Sequence, residues 1–166
     1  MNNPFVAVLM GSESDLPIMQ ATLDVLKTLE VPFEVRISSA HRTPEATAHY
    51  VKEADARGCG VFIAAAGLAA HLAGAVAANT LKPVIGVPME GGPLKGMDAL
   101  LSTVQMPGGV PVACVAIGKP GAKNAAYLAA QILGITDTAL AQRLLSDRQA
   151  MAEAILAKAN ILEHHS

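Results

Sequence analysis

Phe33-Glu-Val-Arg-Ile-Ser-Ser-Ala-His-Arg-Thr-Pro44 carries both the fold and the chemistry of this chain. Its first five residues, Phe33–Ile37, are β-branched or aromatic at alternate positions and read as a strand. A short polar turn follows, and Thr43-Pro44 offers an N-cap and a first helical residue. Strand, turn and helix in one stretch define a β-α unit. The turn sets an imidazole beside a guanidinium. The first can move protons near neutral pH. The second can clamp a phosphate or carboxylate through two parallel hydrogen bonds.

The same unit recurs on both sides. Phe5-Val-Ala-Val-Leu-Met10 is an apolar run too short for a helix and suited to a strand covered on both faces. Gly11-Ser12-Glu13-Ser14-Asp15 ends it. Leu16, Met19, Leu23 and Leu26 then keep helical spacing, with Asp15 as the expected cap and Val31-Pro32 as the break. The helix after Pro44 should run to Gly58. Residues 61–65 form a third strand, followed by Ala66-Gly67-Leu68-Ala69-Ala70-His71-Leu72 and a small-residue helix ending near Thr80. Residues 83–87 form a fourth strand, before a turn-rich loop with Gly91-Gly92-Pro93 and a helix from Met97 to about Val104. Residues 112–117 form a fifth, leading to a helix over 122–133. Thr136 is expected to cap a long last helix.

Strict alternation predicts an α/β fold: a three-layer α/β/α sandwich around a parallel five-stranded sheet. Right-handed crossovers leave few topologies, and the flavodoxin-like order 2-1-3-4-5 is the simplest. The 166 residues suffice for a single domain with a full core. Residues 1–133 are the α/β core, and 136–161 are a surplus C-terminal helix. Its apolar positions, Leu140, Leu144, Met151 and Ile155, should pack on another subunit or wrap the domain edge. The closing Leu162-Glu163-His164-His165 is assigned no role.

Composition narrows the function. Apolar residues make up 52% of the chain, aromatics 3%, and there is no Trp, so the core is built from small aliphatic side chains. A net charge of −2 without a basic run argues against nucleic acid. Cys59 and Cys114 lack paired spacing and read as buried free thiols. No apolar run is long enough to span a bilayer. Asn2-Asn3-Pro4 leads into the first strand without a secretory pattern, so a cytoplasmic protein is expected.

Ligands of open parallel sheets bind beyond the carboxyl ends of the strands, where strand order reverses. In the order 2-1-3 the first three loops are neighbours, so Ser12, Ser14, Asp15, Ser39, His41, Arg42, Gly67 and His71 should share one pocket. The first loop offers hydroxyls, a carboxylate and backbone N–H groups, a fit for an anion and a sugar diol. Ser and Asp are equally ordinary as helix caps, so that loop alone stays open between capping and binding. His41 and Arg42 could each be solvated turn residues, and His71 a buried, hydrogen-bonded structural histidine. Sharper alternatives fail on residues. There is no GxxxxGK[ST], no GxGxxG after the first strand and no GxSxG elbow. The loops lack aromatics for a flavin, and no residues repeat at metal-ligand spacing.

Together these segments resemble a known family. Met10-Gly-Ser-Glu-Ser-Asp15, Ser39-Ala-His-Arg-Thr-Pro44, Ala69-Ala-His-Leu72, Pro83-Val-Ile-Gly-Val-Pro88, Leu101-Ser-Thr-Val-Gln-Met-Pro107 and Ala116-Ile-Gly-Lys119 are similar to the class I N5-carboxyaminoimidazole ribonucleotide mutases of bacterial purine synthesis. The segments fall in family order, from about Val6 to Leu133. Arg42-Thr43 looks like the mutase class, whereas related class II carboxylases typically carry Lys after the histidine. Leu68 and Ala73 differ from the Gly and Pro of many members, but neither adds a polar group.

The resemblance implies transfer of a carboxylate from the exocyclic amine to ring carbon four of an aminoimidazole ribonucleotide, with no metal, ATP or organic cofactor. It implies that His41 is the general acid and base. Ser12 and Asp15 would bind the ribose-phosphate portion, Ser14 and Ser39 would assist, and Arg42 would meet the phosphate. Gly67 and His71 would line the base and carboxylate region, with Ala40 and Leu72 beside them. It also implies a homo-octamer in which a neighbour's Gln105-Met106-Pro107 reaches toward the site. The rival readings are direct carboxylation by carbon dioxide, as in class II, and a non-catalytic nucleotide-binding module.

Overall fold

A computed structural model of the chain describes residues 4–163. Asn2, Asn3, His164 and His165 lie outside the described residues. The elements run β1 (Phe5–Met10), α1 (Leu16–Thr28), β2 (Phe33–Ile37), α2 (Pro44–Ala56), β3 (Cys59–Ala66), α3 (Leu72–Ala77), β4 (Val84–Pro88), α4 (Met97–Val104), β5 (Ala113–Cys114), α5 (Lys119–Gly134) and α6 (Thr138–Glu163). A 3-10 turn, Glu13–Asp15, precedes α1. The sheet is parallel in the expected order 2-1-3-4-5.

Successive side chains of a strand point to opposite faces, and here both faces are dry. On β1, Val6, Val8 and Met10 enter one core, while Ala7 and Leu9 enter the other. On β3, Val61, Ile63 and Ala65 join the first, and Phe62 and Ala64 the second. The first core is closed by α1 (Met19, Leu23, Leu26) and by the alanine face of α5 (Ala122, Ala125, Ala126, Ala129). The second is closed by Tyr50, Val51 and Ala54 of α2 and by Leu72, Ala73 and Val76 of α3. β2 is the sheet edge and departs from the doubly covered pattern: Val35 and Ile37 are exposed. Its Glu34 pairs with Arg57 and accepts from Tyr50 Oη at 3.2 Å. That pairing, chiefly the Arg57 hydrogen bond, holds the Glu34 carboxyl below its ordinary range.

Several local expectations change. Asp15 occupies the N-cap position of α1 without capping it, because its carboxylate turns back to Ser12. Thr43 likewise precedes α2, but its hydroxyl donates to Ser39 O at 3.0 Å and accepts from Ser39 N at 3.3 Å. β5 is only two residues long. Its apolar run continues because Val112 and Val115 pack on opposite cores, not because the ladder does. Backbone contact with β4 persists irregularly through Val115 N to Gly86 O at 3.0 Å and Gly118 N to Pro88 O at 2.9 Å. The last helix starts at Thr138 rather than 136, with Asp137 Oδ1 accepting from Leu140 N at 3.0 Å. Cys59 is buried, whereas Cys114 is only half-buried.

α6 does two things along its length. Leu140 and Leu144 join the first core, Arg143 Nε donates to Leu29 O at 2.8 Å, and Tyr127 Oη donates to Asp147 at 2.7 Å. These contacts wrap the helix onto α1 and α5. Farther along, Ile155 and Leu156 are exposed. Among the described residues, no helix is long and apolar enough to cross a membrane.

Close approach governs the glycine that opens α5. A Cβ on Gly121 would stand 1.6 Å from Ala116 O, a backbone atom that cannot move aside. Overpacking of this kind costs about 3 kcal/mol. Gly121→Ala is therefore expected to lower unfolding stability by about that amount, read as the shift in the urea midpoint at constant slope.

Candidate active site

Three loops at the carboxyl ends of β1, β2 and β3 meet around a cavity of about 500 Å³. The first is shaped by its own hydroxyls. Ser12 Oγ accepts from Ser14 N at 3.3 Å and from Ser14 Oγ at 3.0 Å, while Ser12 N donates to Asp15 Oδ2 at 3.0 Å. This reciprocal capping box belongs to the 3-10 turn. Capping and pocket lining thus coexist: Gly11, Ser12, Ser14 and Asp15 all face the cavity. Burial pushes the Asp15 carboxyl above its ordinary range, and the Ser12 N–H partly offsets that rise.

The second loop is held from below. Ser38 is buried, its N–H donates to Met10 O at 2.8 Å, and its hydroxyl shares a 2.7 Å hydrogen bond with Thr47. Ser39 Oγ accepts from both the N–H and Nε of Arg42, at 3.2 and 3.3 Å. Ser39 therefore stands behind the wall and steers Arg42, while Ala40, His41 and Arg42 line the cavity. Using Nε on Ser39 leaves the two terminal amines of the guanidinium for an anion. Among the described residues no carboxylate forms an ion pair with Arg42.

The third loop brings Gly67, Leu68, His71 and Leu72 to the same cavity. His71 is exposed rather than buried in the core. Its Nδ1 lies 2.8 Å from His41 Nε2, with the rings edge to face at 82°. One ring must donate and the other accept, so the contact ties the two tautomers together. When His41 Nε2 carries the proton, His71 Nδ1 is free of one. An exchangeable proton is thereby held at the cavity wall, between residues thirty positions apart in the chain.

The carboxyl-end rule also reaches a fourth loop that sequence reasoning left out. Glu90, Gly91 and Gly92, just after β4, complete the rim. The signal was available, since the order 2-1-3-4 places β4 beside β3. A larger hollow of about 930 Å³ lies at the opposite end, beside Lys52, Leu81 and Pro111, and holds no histidine. Among the described residues, no three His, Cys, Asp or Glu are grouped to hold a metal ion.

Known proteins resemble this chain over most of its length. The family model for AIR carboxylase matches residues 5–154. An N5-carboxyaminoimidazole ribonucleotide mutase of Bacillus subtilis is 52% identical over 153 residues, covering 92% of this chain and 94% of the relative. One from Escherichia coli is 50% identical over 156 residues, covering 93% and 92%. The crystal structure of Treponema denticola PurE superposes with a TM-score of 0.87 at 32% identity, covering 96% of this chain and 98% of that one.

Proposed function

The chain belongs to the AIR carboxylase family, and from that premise we propose that it converts N5-carboxyaminoimidazole ribonucleotide to 4-carboxyaminoimidazole ribonucleotide in purine biosynthesis. The observation that carries the reading is the hydrogen-bonded His41–His71 pair on the wall that Asp15 and Arg42 also line. The names of the relatives at about half identity support rearrangement over direct carboxylation.

The substrate's N-carboxylate is a carbamate. His41 gives a proton to the carbamate nitrogen, the C–N bond breaks, and its electron pair stays on nitrogen. That leaves the neutral amine and carbon dioxide. Ring carbon four, electron-rich through the adjacent amine, attacks the carbon dioxide and forms the C–C bond. The proton displaced from carbon four returns to His41, so the enzyme ends as it began. One group donates early and accepts late, a task suited to an imidazole. His71, bonded to the same ring, fixes its tautomer and orientation.

Arg42 binds the phosphate, steered by Ser39. Ser12 and Ser14 add hydroxyls, and Asp15 accepts from the ribose diol. Gly67, Ala40 and Leu72 give the base and carboxylate close walls. Holding the released carbon dioxide against the ring turns recapture into an intramolecular step, worth on the order of 7–11 kcal/mol at best. The chain acts as a single cytoplasmic domain within a homo-octamer. The exposed apolar residues of α4 (Met97, Leu101, Val104) and of distal α6 (Ile155, Leu156) support such contacts. A neighbour's Gln105-Met106-Pro107 then reaches toward the site.

His41→Asn should abolish interconversion, followed by ultraviolet absorbance in chelator-treated buffer, while nucleotide binding persists; substantial remaining turnover would remove His41 from the mechanism. Arg42→Ala should weaken the nucleotide far more than its dephosphorylated nucleoside in calorimetry, and equal losses would take Arg42 off the phosphate. In sedimentation the protein should run as a large assembly. A monomer at micromolar concentration would contradict the assignment of α4 and α6 to subunit contacts.

A further inference from the structure

Glu90 is the charged group of the cavity that the chemistry above leaves unused. It is exposed and lines the wall with Asp15, His41, Arg42 and His71. Among the described residues its carboxylate enters no ion pair. The backbone nonetheless fixes its place. Met89, just before it, is buried and donates its N–H to Ala66 O at 2.9 Å. Gly118 N donates to Pro88 O at 2.9 Å. Three neighbours meet this segment with bare backbone. A Cβ on Gly67 would lie 3.5 Å from Met89 O, one on Gly96 3.4 Å from Glu90 Cα, and one on Gly118 3.2 Å from Glu90 Oε1. The carboxylate therefore rests over Gly118 at the β4 end of the cavity, with no side chain at 67, 96 or 118 to displace it.

Strand order gives that charge a meaning. The order 2-1-3-4 puts Arg42, after β2, at one end of the row of loops and Glu90, after β4, at the other. Asp15, after β1, and Gly67 and Leu72, after β3, stand between them. A nucleotide with its phosphate on Arg42 and its ribose on Asp15 therefore lays its base toward Glu90. Among the described residues lining the cavity, Arg42 is the single Lys or Arg. Once it holds the phosphate, this chain offers a carboxylate on the base no further lysine or arginine. It offers a like charge instead. Asp15 is a second carboxylate, but its Oδ2 accepts from Ser12 N at 3.0 Å and it stands one loop nearer the phosphate end.

We propose that Glu90 sets how the site discriminates between carboxylated and bare nucleotides: its carboxylate opposes the one on the base and favours the state in which that charge is gone. The proposal rests on the mutase reading above. Like charges sharing a partly desolvated cavity repel. In the first half of the reaction the carbamate C–N bond breaks, its electron pair stays on nitrogen, and His41 supplies the proton. The carboxylate becomes neutral carbon dioxide, so the negative charge facing Glu90 disappears. A repulsion present in the bound substrate and absent after cleavage weakens binding and speeds cleavage. The effect is one of degree. An uncharged residue at position 90 gives a tighter-binding, slower enzyme and not a dead one.

The test is calorimetric titration of the full-length protein with 4-carboxyaminoimidazole ribonucleotide and with bare aminoimidazole ribonucleotide, in wild type, Glu90→Gln and Glu90→Ala. Both variants should tighten the carboxylated nucleotide by about tenfold and leave the bare one within about twofold of wild type. The absorbance assay should show KM and kcat falling together. Because Glu90 is exposed and enters no ion pair, both variants should melt with wild type. The pair of variants separates charge from hydrogen bonding, since only glutamine brings an amide N–H to the ligand. Tightening in Glu90→Gln alone would report that new bond and overturns the proposal. An unchanged ratio of the two Kd values in either variant also overturns it, as does a kcat that does not fall with KM. Equal shifts for both nucleotides, the mark of a merely structural role, leave that ratio unchanged. A wild-type protein that binds neither nucleotide is a separate result. It removes the mutase reading, and this proposal with it.

Discussion

The structure depends on β1 and β3 being dry on both faces. Because Val6, Val8 and Met10 feed one core while Ala7 and Leu9 feed the other, a slip of one residue would send every side chain to the wrong side. The register Met10↔Ala65 is therefore firmly held. So is the height at which the first and third loops leave the sheet. Gly11 N donates to Ala65 O at 2.9 Å and Ser38 N to Met10 O at 2.8 Å, carrying the same alignment into the loops themselves. The rim of the cavity inherits its precision from packing below it.

Above that rim the chain does the opposite of what it does in the core. His41, Arg42, Leu68 and His71 are exposed, and Asp15 keeps a carboxyl that burial disfavours. Leu68 and Gly92 are left-handed. The positive φ of Leu68 and the desolvation of Asp15 each cost stability, which the two cores and the α5 alanine face offset. Packed elements below give the polar side chains of the loops above a fixed base to stand on.

Much of this was legible in the residues themselves. Apolar runs bounded by Gly, Pro, Ser and Asp identified the doubly covered strands, which must be apolar throughout, whereas the edge strand β2, with Glu34 and Arg36, showed only alternation. β5 was overextended because Val112 and Val115 are apolar for packing, which looks the same in sequence as laddering. Asp15 and Thr43 do stand at the N-cap positions of α1 and α2, but their side chains do not cap those helices, for a related reason. Ser12, Asp15, Ser39 and Thr43 have the composition of simple N-caps, but their side chains bond to one another and to the turns, and only the folded backbone selects among such short-range partners. Position 71 pointed equally to a core histidine or a ligand contact, and it is in fact the hydrogen-bond partner of His41.

The amino-acid order alone determined the alternation of strand and helix, the parallel sheet in order 2-1-3-4-5, and the fact that three chemically loaded loops share one edge. These follow from local periodicity and chain connectivity, which are properties of neighbours in sequence. The tertiary structure alone decided that His41 and His71 touch, that Glu90 and Gly92 complete the rim, and that Leu68 lines the cavity from a left-handed turn. Those are contacts between residues far apart along the chain. Their distances depend on how side chains fill space once two cores have packed, and no local pattern encodes that.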